Sequence, residues 1–239
     1  MLVYRTAERY ELKVKSSSSY KVRNNKRSFC DYCGRQLKWY ENIPVISWVI
    51  QKGKTRCCRK KLPVLYPIVE LLMGILFVIF FRSQISDLRS QILILLIGLV
   101  ILVVLVFSAV FDLKYMILPD VATGILIGCA LILLLLGRHI GLPLHYVLMA
   151  LVSGGFLLIL HLITKGKGMG MGDVKLAFFM GLFLGYPKII VAMYTAFIVG
   201  ALVGVILLMT KKVKRKTPIP FGPFLILGTL VAWFFGNSI

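Results

Sequence analysis

Gly168-Met169-Gly170-Met171-Gly172-Asp173 separates two long apolar runs, residues 144–164 and 174–186. A carboxylate at the mouth of a membrane-length helix is expensive to keep there, and such ionisable groups point to function. The glycines before it let the backbone bend and approach another segment with no side chain in the way. An ordinary polar turn between helices has a similar composition, so the loop alone carries little. Its weight comes from a second carboxylate, Asp112, which closes a different apolar run.

The chain has 239 residues, of which 59% are hydrophobic, and a mean hydropathy of +0.87. These values exclude an ordinary soluble domain and describe a polytopic membrane protein, since runs of roughly 20 apolar residues cross a bilayer. The N-terminal segment is polar and basic, so no cleavable signal peptide is expected. The net charge of +20 speaks first of orientation and anionic headgroups, and no nucleic-acid partner is expected. Four of the five cysteines lie in the basic N-terminal segment. Cys129 lies in an apolar run and reads as a small packing residue.

The chain divides into a basic segment, 1–63, and an apolar domain, 64–239. Ser16-Ser17-Ser18-Ser19 reads as a break in the first. In the second, apolar runs fall at 64–81, 91–111, 121–137, 144–164, 174–186, 189–210 and 221–235. The fifth is short for a full span, which implies tilt or continuation into its neighbours. With residues 1–63 in the cytoplasm, the loops at 112–120, 165–175 and 211–216 face inside, and each carries Lys. The connections at 82–90, 138–143 and 186–188 face outside. The expected fold is an all-α polytopic bundle of about seven transmembrane helices with a small cytoplasmic Cys-containing segment.

This topology puts Asp112 and Asp173 at the cytoplasmic ends of helices, at one depth. Two carboxylates that converge cannot both ionise easily and share a proton. One then acts as base on a water while the other, protonated, polarises a scissile carbonyl. Structural readings compete: Asp112 paired with Lys114, and Asp173 capping its helix near Lys175. For Asp120, after Pro119, the cap is favoured. Glu70, one turn into the first span, either orients a catalytic group or faces a polar cavity. His161 reads equally as polar glue or as a participant. Gly154-Gly155, Gly181/Gly185 and Gly200/Gly204 read as close helix contacts, and 211–216 as a helix anchor.

These residues resemble the type IV prepilin peptidase family, across about residues 30–224. Asp112 with Ile117-Leu118-Pro119-Asp120 resembles the first catalytic motif. Gly170-Met171-Gly172-Asp173 resembles the GxGD motif of the second, with Gly170 and Gly172 shaping the loop. Trp39-Tyr40-Glu41-Asn42-Ile43-Pro44 with Ser47-Trp48, then Tyr66-Pro67-Ile68-Val69-Glu70, resembles the cytoplasmic segment and the helix after it. Pro220-Phe221-Gly222-Pro223 resembles the motif before the last helix. GxGD alone is shared with other membrane aspartyl proteases, whereas the ordered set is specific.

The resemblance implies a prepilin or pseudopilin substrate, cleaved after a Gly on the cytoplasmic face of a bacterial inner membrane. It also implies, in bifunctional members, methylation of the new amine from S-adenosylmethionine. A preflagellin-type peptidase and an ion- or proton-coupled transporter using the two Asp residues are the alternatives. A third is a cytoplasmic metal module on a membrane anchor. Oligomeric state is left open.

Two features depart from the family pattern. The family has one more apolar helix before a Tyr-Arg segment, and Met1-Leu2-Val3-Tyr4-Arg5 begins almost where that helix would end. A truncated start, a misassigned start and a branch without the helix all stay open. The family's two Cys-x-x-Cys pairs are met by Cys30 and Cys33, then by Cys58 with Thr55 in its partner's place and Cys57 next door. A structural Zn ion wants four ligands, and adjacent cysteines are expected to point apart. A zinc site on Cys30, Cys33, Cys58 and Cys57 and a set of reduced thiols both stay open.

Overall fold

The computed structural model describes residues 30, 33, 35–84, 92–137, 143–166, 168–210 and 219–236. The serine run at 16–19, the start at 1–5, and most of the loops at 82–90, 138–143 and 211–216 lie outside the described residues. Among those described there are eight α-helices, one 3-10 turn at Trp39–Asn42 and no strand. An isolated bridge pairs Lys54 with Lys61. The chain is an all-helical polytopic membrane protein, as its composition requires.

It divides into two compact units, Met1–Val78 and Ile79–Ile239. The first holds the 3-10 turn, the short helix α1 (Ile46–Ile50), the turns around the Lys54–Lys61 bridge and the start of α2 (Leu65–Gln84). The second holds the end of α2, then α3 (Ile92–Tyr115), α4 (Asp120–Leu135), α5 (Pro143–Ile163), α6 (Met171–Leu184), α7 (Lys188–Met209) and α8 (Gly222–Phe235). Each of the seven apolar runs has become one helix, α2 to α8. Four of them, α2, α3, α5 and α7, are long and apolar enough to cross a membrane.

The short fifth run does not continue into its neighbours. It forms α6, with 14 residues, about 21 Å at 1.5 Å per residue. Gly185 ends it in the left-handed region (φ +64), with its N–H bonded to the Gly181 carbonyl at 3.1 Å. Ten of the 14 residues are buried, because α4, α5, α7 and α8 all pack on it. A helix apolar on every side belongs in a core.

Small residues bring α5 and α6 together. A Cβ at Gly181 would collide with the Met149 carbonyl and Ser153 Oγ, and would stand 2.5 Å from Ala150 Cα. Ser153 Oγ reaches across to the Ala177 carbonyl at 2.8 Å. Gly181→Ala must push these helices apart. It is expected to cost about 3 kcal/mol, seen as a lower melting temperature in detergent and as loss of the monodisperse peak. Gly204, by contrast, faces open space. The close contact of α7 with α8 is made at Gly228, where a Cβ would meet the Ala192 carbonyl.

Candidate active site

The last turn of α3 carries Asp112, 5% exposed. Met116, at φ +55, turns the chain out of the helix, its N–H bonded to the Asp112 carbonyl at 2.8 Å. Pro119 then starts α4, which has Asp120 in its first turn. Between them Leu118 folds inward and is 7% exposed. Two glycines press on it. A Cβ at Gly172 would stand 2.8 Å from Leu118 Cβ. A Cβ at Gly222 would stand 2.6 Å from Asp112 Oδ2 and 3.3 Å from Leu118 Cδ1. The start of α8 reaches Asp112 and Leu118, and that of α6 reaches Leu118, because neither carries a side chain at these positions. The Gly222 N–H donates to the Asp112 carboxylate.

Asp173 is the third residue of α6 and 7% exposed. Its Oδ2 accepts the Gly170 N–H at 3.1 Å, and its own N–H returns to the Gly170 carbonyl at 3.2 Å. The helix-cap reading is therefore correct, and it does not exhaust the residue. The carboxylate also lies within electrostatic reach of Asp112. Among the described residues, these two are the buried carboxylates.

Lys175 does not neutralise Asp173. Its Nζ pairs with Asp120 Oδ1 at 2.6 Å, with the two side chains 41% and 68% exposed. A pair so open to solvent adds about 1 kcal/mol or less. It ties the first turn of α4 to that of α6, next to the buried carboxylates. Gly172 is required by packing. At Gly170 a Cβ would meet nothing closer than Asp173 Oδ2 at 3.7 Å, so this residue's contact with the site is its N–H. In the sequence Gly222 stands out only as part of the Pro220-Phe221-Gly222-Pro223 motif. Its Gly-Pro pair at a helix start was the available signal, and nothing in the sequence located Asp112 beside it.

In the first unit Glu70 is exposed, and its Oε2 accepts the Val45 N–H at 2.6 Å. Val45 has φ +58 and precedes α1, so Glu70 holds a loop there rather than lining a cavity.

The four cysteines of this unit converge. Cys30 Sγ lies 3.9 Å from Cys58 Sγ, Cys33 Sγ 3.1 Å from Cys57 Sγ, and Cys57 Sγ 3.8 Å from Cys58 Sγ. All four sulfurs lie within 4.8 Å of one another. A tetrahedral ion bound at about 2.3 Å wants sulfurs about 3.8 Å apart, so the donor set fits a metal ion. The expectation that Cys57 and Cys58 point apart fails here. The turn from Thr55 to Lys60 is curled by Thr55 N–H to Lys60 O at 2.9 Å and Arg59 N–H to Thr55 O at 2.9 Å, and both sulfurs face the cluster. Thr55 is buried beside them, 3.1 Å from Cys58 Sγ through Oγ1. That hydroxyl holds the Cys58 thiol down to about 7, while burial pushes Cys57 up to about 12. Metal binding would displace the thiol protons.

Comparison with known proteins decides the family. Residues 99–205 match the type IV leader peptidase family, and residues 2–83 match the bacterial peptidase A24 N-terminal domain. A prepilin leader peptidase/N-methyltransferase of Aeromonas salmonicida is 33% identical over 218 residues, covering 89% of this chain and 72% of that protein. The chain belongs to the type IV leader peptidase family. Proteins of the same description from Legionella pneumophila (33%, covering 89% and 74%) and Bacillus subtilis (31%, covering 89% and 83%) are also similar. No solved structure matches. The segment matched to the leader peptidases contains both Asp112 and Asp173. The N-terminal match contains the cysteine cluster and Glu70. Gly222, which touches Asp112, falls beyond both matched segments.

Proposed function

We propose that this leader peptidase works as an aspartic endopeptidase through Asp112 and Asp173, removing the basic leader of prepilins or pseudopilins. The observation that carries the reading is a pair of buried carboxylates within electrostatic reach of each other. Isolated buried charges are costly, and a pair that must share a proton has a base and an acid in one place. One carboxylate takes a proton from water as that water attacks the scissile carbonyl. The other gives its proton to the carbonyl oxygen, and the tetrahedral intermediate collapses as the leaving amine is protonated. The pair titrates as a unit, so its pH profile reports both groups together. The Gly222 N–H fixes the rotamer of one member and the Gly170 N–H that of the other.

Both carboxylates stand at helix ends, on the loops 112–120 and 165–175 that charge counting assigns to the inside. The reading therefore places cleavage at the cytoplasmic face of a bacterial inner membrane, with residues 1–63 on the same side. Helix-end carboxylates also disfavour the transporter alternative, whose ion site belongs near the midplane. Methylation of the new amine, with S-adenosylmethionine as methyl-donor substrate, follows from the relatives' description alone.

For the first unit, Cys30, Cys33, Cys57 and Cys58 would hold a zinc ion with Thr55 bonded to a ligand sulfur. Its chemistry there would be structural, a cross-link between two turns. Elemental analysis of protein purified without chelator is expected to find about one zinc per chain. Cys30→Ser with Cys58→Ser should remove it and open the 30–61 region to protease. Metal-free wild type with unchanged protease resistance would contradict this.

The function is tested with purified chain in proteoliposomes and a reporter prepilin bearing a basic leader, a Gly and an apolar helix. Mass spectrometry should find a new N-terminus just after the Gly. An intact reporter, or a cut elsewhere, would overturn the reading.

A further inference from the structure

The mechanism above leaves one polar side chain beside the site unused. His161 is half-buried at the end of α5, and its Nδ1 lies 2.7 Å from the Met169 carbonyl oxygen. A carbonyl only accepts, so Nδ1 carries the proton. The contact is set up by the way α5 ends. Gly166 N–H returns to the His161 carbonyl at 2.9 Å and Lys165 N–H to the Leu162 carbonyl at 3.1 Å. This paired closure, with Lys165 at φ +51, is the Schellman end of a helix. It folds the following loop back over His161.

The Met169 carbonyl and the Gly170 N–H belong to one planar peptide group. Its oxygen receives His161, and its N–H donates to Asp173 Oδ2 at 3.1 Å. A hydrogen bond to the oxygen of an amide polarises the N–H on its other side, so the two bonds strengthen each other. We infer that His161 is a positioning residue for Asp173, acting through the Met169–Gly170 peptide. It fixes the plane of that peptide and so the direction from which the carboxylate is held. The inference rests on the reading of Asp173 as one of the reacting pair.

Three substitutions test it. His161→Asn keeps an N–H donor near the Nδ1 position. His161→Leu keeps the bulk and removes the donor. Gly170→Pro deletes the N–H itself, and it suits a backbone already at φ −77 with room for a Cβ. In reporter cleavage, His161→Leu is expected to lower kcat about three- to tenfold, the worth of one hydrogen bond, with KM unchanged. His161→Asn should recover most of that loss. In the Gly170→Pro background, His161→Leu should add nothing further. A His161→Leu enzyme with wild-type kcat, an Asn variant as poor as the Leu variant, or losses that multiply in the double variant would each overturn the inference.

Amide hydrogen exchange over residues 168–173 gives a readout that needs no substrate. Exchange at Gly170 should quicken in His161→Leu and stay at the wild-type rate in His161→Asn. Equal protection in all three proteins would overturn the inference even if the reporter is never cut. A reporter left intact by wild type counts against the peptidase reading and leaves the exchange result to decide this one.

Discussion

Asp112→Asn and Asp173→Asn each lower the cleavage rate at least about 10³-fold, with insertion and folding intact. A positioned acid or base contributes about 10²–10⁴-fold, and groups that act as a unit lose most of the effect when either is removed. Asn is chosen because it retains the structural bonds. Its side-chain oxygen still accepts the Gly222 N–H at 112 or the Gly170 N–H at 173. The cap of α6 and the packing against Leu118 therefore survive, and only the proton chemistry goes. Initial rates on the reporter, with size-exclusion profiles of the same preparations, check this. A variant that cuts normally would reduce its Asp to a cap.

Gly222→Ala lowers cleavage by about 10²-fold, although it replaces no ionisable group. The added Cβ arrives 2.6 Å from Asp112 Oδ2 and 3.3 Å from Leu118 Cδ1. Oxygen and carbon do not share that space, so the carboxylate or the start of α8 must move by the better part of an ångström. A misplacement of about 1 Å in a reacting group costs on the order of 10²-fold. Gly204→Ala is the control, because a Cβ there meets nothing within 4 Å. It should cleave as wild type does. Equal activity in both variants would mean that Asp112 is not held by the start of α8.

The sequence spoke most clearly where membrane physics leaves few choices. Seven apolar runs became seven helices because a backbone in lipid must bond within itself. Asp112 and Asp173 stood out because acids are scarce here, 9 in 239 residues, and both fall at helix ends. Other features depend on contacts between distant segments. The composition of α6 marks it for a core, but its four neighbours there are set by contacts between distant segments. The pairing of Lys175 with Asp120 spans 55 residues, whereas in sequence Lys175 stands near Asp173. Cys57 joins the cluster because of a turn whose curl is not written in the cysteine spacing. The sequence leaves His161 equally open as polar glue or as a participant, and the structure bonds it to the Met169 carbonyl. What it fastens became visible only once the loop after α5 was seen to fold back over it.

The most direct test of the carboxylate pair is single-turnover cleavage by Asp112→Asn and Asp173→Asn, with reporter binding measured on the same proteoliposomes. The account predicts that both variants bind the reporter as tightly as wild type and do not cut it. Cutting at the wild-type rate, or failure that is wholly a failure to bind, would contradict it.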